Sequence, residues 1–77
     1  MAIVTRFFRV TKERVGRPKS AECGFCAVVI DETPYLLLET YGATDRVIPG
    51  KVSQSIHLDR RRAAELKRLL EDHFPGI

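Results

Sequence analysis

The chain has 77 residues, of which 44% are hydrophobic and 30% are charged, and its net charge at neutral pH is +3. A chain of this length forms one domain, residues 1–77, with a thin core, so we expect it to gain stability by pairing with a second copy. No apolar run reaches the roughly 20 residues of a membrane-spanning helix, and the N-terminus lacks the features of a secretory signal, so we expect no membrane association and a cytoplasmic location.

A basic strand is predicted at the N-terminus, over residues 4–12, followed by a turn or flexible loop at residues 16–20. Residues 1–21 contain one acid, Glu13, and six cations, which are Arg6, Arg9, Lys12, Arg14, Arg17 and Lys19. A basic stretch on a nearly neutral body is typical of a protein that binds polyanions. Basic side chains also protect the edges of sheets from aggregation, so the charge alone leaves both interpretations open.

Two further strands are predicted over residues 23–30 and 35–41. The connector between them, Asp-Glu-Thr-Pro, is short, which favours an antiparallel hairpin. A longer loop then covers residues 42–51, and residues 53–58 are predicted to form a fourth strand.

A C-terminal helix is predicted after Asp59, whose carboxylate can accept hydrogen bonds from the free amides of the first turn. Its apolar stripe recurs at three- and four-residue steps and consists of Ala63, Leu66, Leu69, Leu70 and Phe74. Pro75 and Gly76 end it. The order β-β-β-β-α predicts an α+β fold, in which a four-stranded antiparallel sheet carries the helix on one face and leaves the other face open.

The C-terminal half carries a recognisable outline. Residues 37–41 read Leu-Leu-Glu-Thr-Tyr, and residues 49–51 read Pro-Gly-Lys before the strand with Ile56 and Leu58. This outline resembles the PC4-like family of transcriptional coactivators over residues 35–74, and residues 4–30 resemble it only in topology. The chain departs from the family at residues 52–54, which separate the Pro-Gly-Lys loop from the strand, and in having no tryptophan.

The resemblance implies a curved sheet that binds single-stranded DNA through basic and aromatic residues. It also implies a homodimer whose helices help to form the interface. Lys51 would then lie near the backbone of the bound strand, and Tyr41 would occupy the aromatic position at the end of the third strand.

Single-strand binding requires cations along the phosphates and flat side chains on which bases stack. Sheet aromatics are available for stacking, and since Phe7 and Phe8 are adjacent in a strand, we expect one to be buried and the other exposed. The predicted nucleic-acid site consists of Arg6, Phe7, Arg9, Lys12, Arg14, Arg17, Lys19, Tyr41, Arg46 and Lys51.

Two smaller features leave alternatives open. The run of arginines at residues 60–62 opposes the helix dipole, which indicates either phosphate contact or a solvated face. Cys23 and Cys26 have the spacing of half a zinc site, but residues three apart in a strand point to opposite faces and too few other ligands are present. We therefore expect two buried thiols in a reducing compartment, with no metal and no cofactor.

No motif indicates an enzyme, since phosphate loops, nucleophile triads and paired carboxylates are absent from the sequence. The leading hypothesis is a PC4-like homodimer that binds single-stranded DNA, or RNA, and acts in transcription, replication or repair beside proteins of those machineries. The alternative is a protein-interaction module whose open sheet face docks a partner chain. Duplex binding is a third hypothesis.

Overall fold

The structure is a computed structural model that describes residues 1–42 and 52–77. Within these ranges a four-stranded sheet, with the strand order β1-β4-β3-β2, is followed by one helix. The elements are β1 Ala2–Ile3, β2 Ala21–Ile30, β3 Thr33–Gly42, β4 Gln54–Leu58 and α1 Arg60–His73. The predicted α+β fold with the order β-β-β-β-α is confirmed.

The sheet is mixed, so the prediction of a fully antiparallel sheet is wrong at β1. The pairs β2–β3 and β3–β4 are antiparallel, but β1 runs parallel to β4, with Ala2 opposite Ile56. The predicted strand over residues 4–12 is wrong as well, because residues 4–20 form no strand. Since β1 and β4 are parallel, the chain leaves both strands at the same end of the sheet. The segment after β1 therefore lies beside α1, which comes directly after β4.

The β2–β3 hairpin turns on two residues. Asp31 and Glu32 have φ angles of 48° and 66°, and Ile30 pairs with Thr33. Positive φ at both central positions is what a two-residue turn needs to match the twist of its strands. Pro34 belongs to β3 but lies beyond the residues that pair with β4, so its missing amide hydrogen removes no bond on that side.

The register separates two faces of the sheet. Phe25 and Val29 of β2 share the helix-side face with Leu36 of β3 and Ile56 of β4. The opposite face, which we call the open face because α1 does not pack on it, carries Tyr35, Leu37 and Tyr41, which are half-buried, and His57. α1 contacts β3 and β4, as the predicted stripe requires. Of the described residues, only Leu58 and His57 are buried, at 2% and 6% exposure, so the core is small.

Both ends of α1 are capped in agreement with the sequence. The Asp59 carboxylate accepts a hydrogen bond from the Arg62 amide at 2.8 Å, which confirms the predicted N-cap. At the other end the Phe74 amide donates to the Leu70 carbonyl at 2.8 Å, and the chain leaves the helix before Pro75. The helix therefore keeps a fixed length and direction over the sheet.

Candidate nucleic-acid interface

Residues 4–20, which we call the basic arm, are anchored to the fold at their start. The Val4 amide donates to the His57 carbonyl at 3.0 Å, and His57 Nδ1 donates to the Ala2 carbonyl at 3.1 Å. The Arg62 guanidinium donates to the Thr5 carbonyl. These contacts direct the arm from the sheet edge onto α1.

Arg62 therefore anchors the basic arm to α1, a structural role that the run of three arginines in the sequence did not indicate. Its guanidinium lies 2.9 Å from the Glu65 carboxylate, and its side chain is only 14% exposed. Arg60 and Arg61 are exposed. Of the run, these two alone present their charges to solvent.

All six cations of the predicted site that lie in the arm are exposed. In the described part of the chain the one ion pair is Arg62–Glu65, so none of the six arm cations pairs with a described carboxylate, and Glu13 is the one acid within the arm. The Arg6 guanidinium carbon lies 4.8 Å from the centroid of the Phe8 ring, in a cation–π contact. The arm thus combines unneutralised positive charge with an exposed ring.

A cleft of about 290 Å³ separates the arm from the C-terminal half of α1. It is lined by Phe7, Phe8, Arg9, Val10, Leu69 and His73. Phe7 is half-buried and Phe8 is 66% exposed, so the more accessible ring is Phe8, a choice that the sequence left open. His73 Nδ1 donates to the Leu69 carbonyl at 2.7 Å, which orients the imidazole at the rim.

Tyr41 lies in a different electrostatic environment from the arm. Its hydroxyl donates to the Glu39 carboxylate at 3.2 Å, and its partner in the register is Glu22. The negative charge of Glu39, with partial burial, raises the pKa of the Tyr41 phenol above its usual value. The ring lies over Gly24, where a Cβ atom would come within 3.2 Å of it. Among the described residues, the charged neighbours of Tyr41 on the open face are acidic, which disfavours phosphate.

Two predicted site residues, Arg46 and Lys51, lie outside the described residues. The remaining arm cations, Lys12, Arg14, Arg17 and Lys19, extend from the cleft toward the start of β2 in irregular, exposed chain. The described structure therefore gathers Arg6, Phe7 and Arg9 beside α1.

The expectation of buried thiols is wrong, because Cys23 and Cys26 are both exposed and unpaired. The physical reason is that α1 covers β3 and β4, whereas β2 is an edge strand that no helix covers. The register places the two thiols on opposite faces, as strand geometry predicts. Among the described residues no three or more histidine, cysteine or acidic side chains come together in a group able to hold a metal ion.

The helix-side face of the sheet is only partly covered. Its four exposed large hydrophobic residues, which we call the apolar face, are Phe25, Val29, Leu36 and Ile56, with exposures of 77%, 70%, 39% and 39%. A cleft of about 320 Å³ continues this face between the sheet and α1, where Leu36 and Leu58 meet Leu66, Leu70 and Ile77. Contiguous exposed apolar surface of this kind marks an interaction surface.

The described residues include no helix with the length and apolar character needed to cross a membrane. Comparisons with protein-family models, with curated proteins and with solved structures find no match to this chain. The resemblance to the PC4-like family therefore stays a prediction from the motifs of residues 35–74.

Proposed function

We propose that this protein binds single-stranded nucleic acid through its basic arm and acts as a binding protein, not as an enzyme. The observation that carries the proposal is the set of six exposed arm cations without a described acidic partner, next to the exposed Phe8 ring. Cations that follow the phosphates and rings that stack on bases are the two requirements of sequence-independent single-strand binding. DNA is the proposed ligand, with RNA as the alternative, in transcription, replication or repair beside proteins of those machineries.

The arm supports this proposal better than the open face does. Tyr41, at the end of the open face, has carboxylates as its charged neighbours in the described part of the chain, and these repel phosphate. The first part of the arm, by contrast, is held against α1 by Arg62, so its cations are partly ordered before a ligand arrives. Ordering before binding lowers the entropy lost on association.

The direct test is an anisotropy titration of a labelled 20-nucleotide single strand and of its duplex. We expect tighter binding of the single strand, and weaker binding after Arg9→Ala combined with Lys12→Ala. Lys67→Ala is the matched control, because Lys67 is an exposed cation on the sheet side of α1, away from the arm. Absence of binding to either nucleic acid at low salt would refute the proposal.

We also propose that the protein is a homodimer whose copies cover each other's apolar faces. The chain exposes 7223 Å², whereas a folded monomer of 8.7 kDa is expected to expose about 4,700 Å². Its Cα radius of gyration is 14.7 Å, against about 11.5 Å for a compact chain of this length. The extended arm accounts for part of this excess. The apolar face is also part of this exposed surface, and obligate dimers bury more than about 2,000 Å² in total.

A protein-interaction module is the second candidate function, and the exposed Phe25 ring favours it, since large aromatic side chains dominate interface energetics. A different partner protein would then cover the apolar face. This candidate predicts a purified protein that sediments as a monomer and does not bind oligonucleotides. The proposed homodimer predicts a dimer in sedimentation, and the proposed function of the arm predicts binding of oligonucleotides.

The cytoplasmic location expected from the sequence belongs to the same proposal. Cys23 and Cys26 are exposed and unpaired, and such thiols persist as thiols in a reducing compartment. We expect both to react with a thiol reagent in freshly prepared cell extract without prior reduction. Recovery of the protein with blocked or disulfide-linked thiols would contradict this location.

A further inference from the structure

The cleft between the arm and α1 has the composition of a binding site for a flat, apolar ligand with adjacent negative charge. Its walls are the rings of Phe7 and Phe8 together with Val10 and Leu69, and its rim carries Arg9 and His73. Its volume of about 290 Å³ is at the lower end of the range for small-molecule pockets. The space therefore suits one heterocycle and not a larger ligand.

The charge around the cleft selects the class of ligand. Arg6 and Arg9 both lie beside it, and neither pairs with a described carboxylate. A neutral apolar side chain from another protein would leave these cations without a partner. A nucleobase within a nucleic acid chain brings a phosphate on each side, so it satisfies both the apolar walls and the cationic rim.

We infer that this cleft accepts one unpaired nucleobase, which stacks on Phe8 while Arg6 and Arg9 bind the neighbouring phosphates. The inference rests on the proposed function and specifies where a base is held. Arg6 already covers one face of the Phe8 ring, so the base uses the other face. A base within a duplex is stacked on both faces and paired along one edge, so it does not enter, which makes the cleft a source of single-strand preference.

His73 adds a hydrogen-bonding group at the rim. Its Nδ1 donates to the Leu69 carbonyl, so Nε2 of the neutral ring is the atom that can accept a bond from an outside group. Exocyclic amino groups of adenine and cytosine are donors of that kind. A thymine decamer tests stacking without an exocyclic amino group, since the one donor on its base is the N3–H.

The experiment compares a labelled thymine decamer with a decamer of the same phosphates that carries abasic sites throughout. Phe8→Leu keeps an apolar side chain and removes the ring, so binding of the thymine decamer should weaken about 5- to 150-fold. Binding of the abasic decamer should not change. Phe74→Leu is the matched control, because Phe74 is an exposed phenylalanine that does not line the cleft.

A second variant reports on the cleft from the helix side. The chain has no tryptophan, so Leu69→Trp introduces a single indole at a position that is already 37% exposed. We expect the thymine decamer to quench its fluorescence and the abasic decamer to leave it unchanged. Quenching of the indole reports a base in the cleft directly. It does not depend on how much Phe8 contributes to the affinity for the decamer.

Three results would overturn the inference. One is an equal loss of affinity for both decamers in Phe8→Leu, and another is unchanged affinity in that variant while the original protein binds. The third is a change from dimer to monomer in Phe8→Leu, measured by sedimentation, because the cleft would then hold a second copy. If the original protein binds neither decamer at low salt, the proposed function itself fails, which is a different outcome.

Discussion

Arg62 donates a hydrogen bond to the carbonyl of Thr5 and so joins the start of α1 to the start of the basic arm, across 57 positions of sequence. The same guanidinium pairs with Glu65 one turn along the helix. One side chain therefore determines both where the arm lies and how the local charge is balanced. The orientation of Phe7 and Phe8 toward α1 depends on this contact, since they lie only two and three residues after Thr5.

The first prediction concerns Arg62→Ala. Loss of a charged hydrogen bond and of a partly buried ion pair should lower the free energy of unfolding by about 1–2 kcal/mol. The arm should detach at the same time, so the Val4 amide, which bonds the His57 carbonyl, should exchange its hydrogen faster. Urea denaturation and amide exchange measure the two effects. Arg61→Ala changes an exposed neighbour and should alter neither the free energy of unfolding nor the exchange rate at Val4. If the Val4 amide exchanges at an unchanged rate in Arg62→Ala, the anchoring role of Arg62 is contradicted.

The second prediction concerns the N-cap of α1. Asp59→Ala removes the carboxylate that accepts from the Arg62 amide and should cost about 1 kcal/mol. For a domain of this size that corresponds to a decrease in Tm of about 4–8 °C. Asp59→Ser retains an acceptor and should recover most of the loss. Equal Tm values for the alanine and serine variants would show that the cap contributes nothing.

The elements that local signals specify were predictable from the sequence. The β2–β3 hairpin followed from two β-prone runs with a short connector, and α1 followed from Asp59 and an apolar stripe. β1 was not predictable, because its parallel pairing with β4 joins residues 54 positions apart and involves only Ala2 and Ile3. Residues 4–12 have the composition of a strand but lie where the helix, not another strand, is their neighbour.

The candidate site was predictable in its residues but not in its arrangement. The six arm cations were predicted as binding residues from the excess of basic over acidic residues at positions 1–21, which the sequence gives directly. Arg62 could not be assigned from sequence because its partner is Thr5, at the other end of the chain. The exposure of Cys23 and Cys26 depends on which strands α1 covers, and that is decided by packing.

The third prediction concerns Tyr41. The charge of Glu39 raises the pKa of the phenol, so the folded state holds this proton more tightly than the unfolded state does. The resulting stabilisation is fully present below the usual pKa of 10.0 and is lost as pH rises through the higher folded value. Absorbance titration of a Tyr35→Phe background isolates Tyr41. Adding Glu39→Gln should lower its pKa toward 10.0, and an unchanged titration would contradict the assigned cause.

The fourth prediction concerns the apolar face. Phe25→Glu places a charge on a side chain that is 77% exposed in the single chain and buried in the proposed dimer. Burial of an unpaired carboxylate is costly, so the variant should sediment as a monomer at concentrations where the original protein is a dimer. Val15→Glu introduces the same carboxylate at an equally exposed position outside this face. Dimers of normal affinity in Phe25→Glu would show that the copies meet elsewhere.

The last prediction concerns the salt dependence of nucleic-acid binding. Each phosphate that a cation neutralises on a single strand contributes about −0.7 to the slope of log K against log salt concentration. If the six arm cations all take part, the slope should approach about −4, and Arg9→Ala with Lys12→Ala should reduce its magnitude by about 1.4. Lys67→Ala should leave the slope unchanged. A slope that is the same in the double variant and the original protein would place the phosphate contacts outside the arm, even if the affinity itself falls.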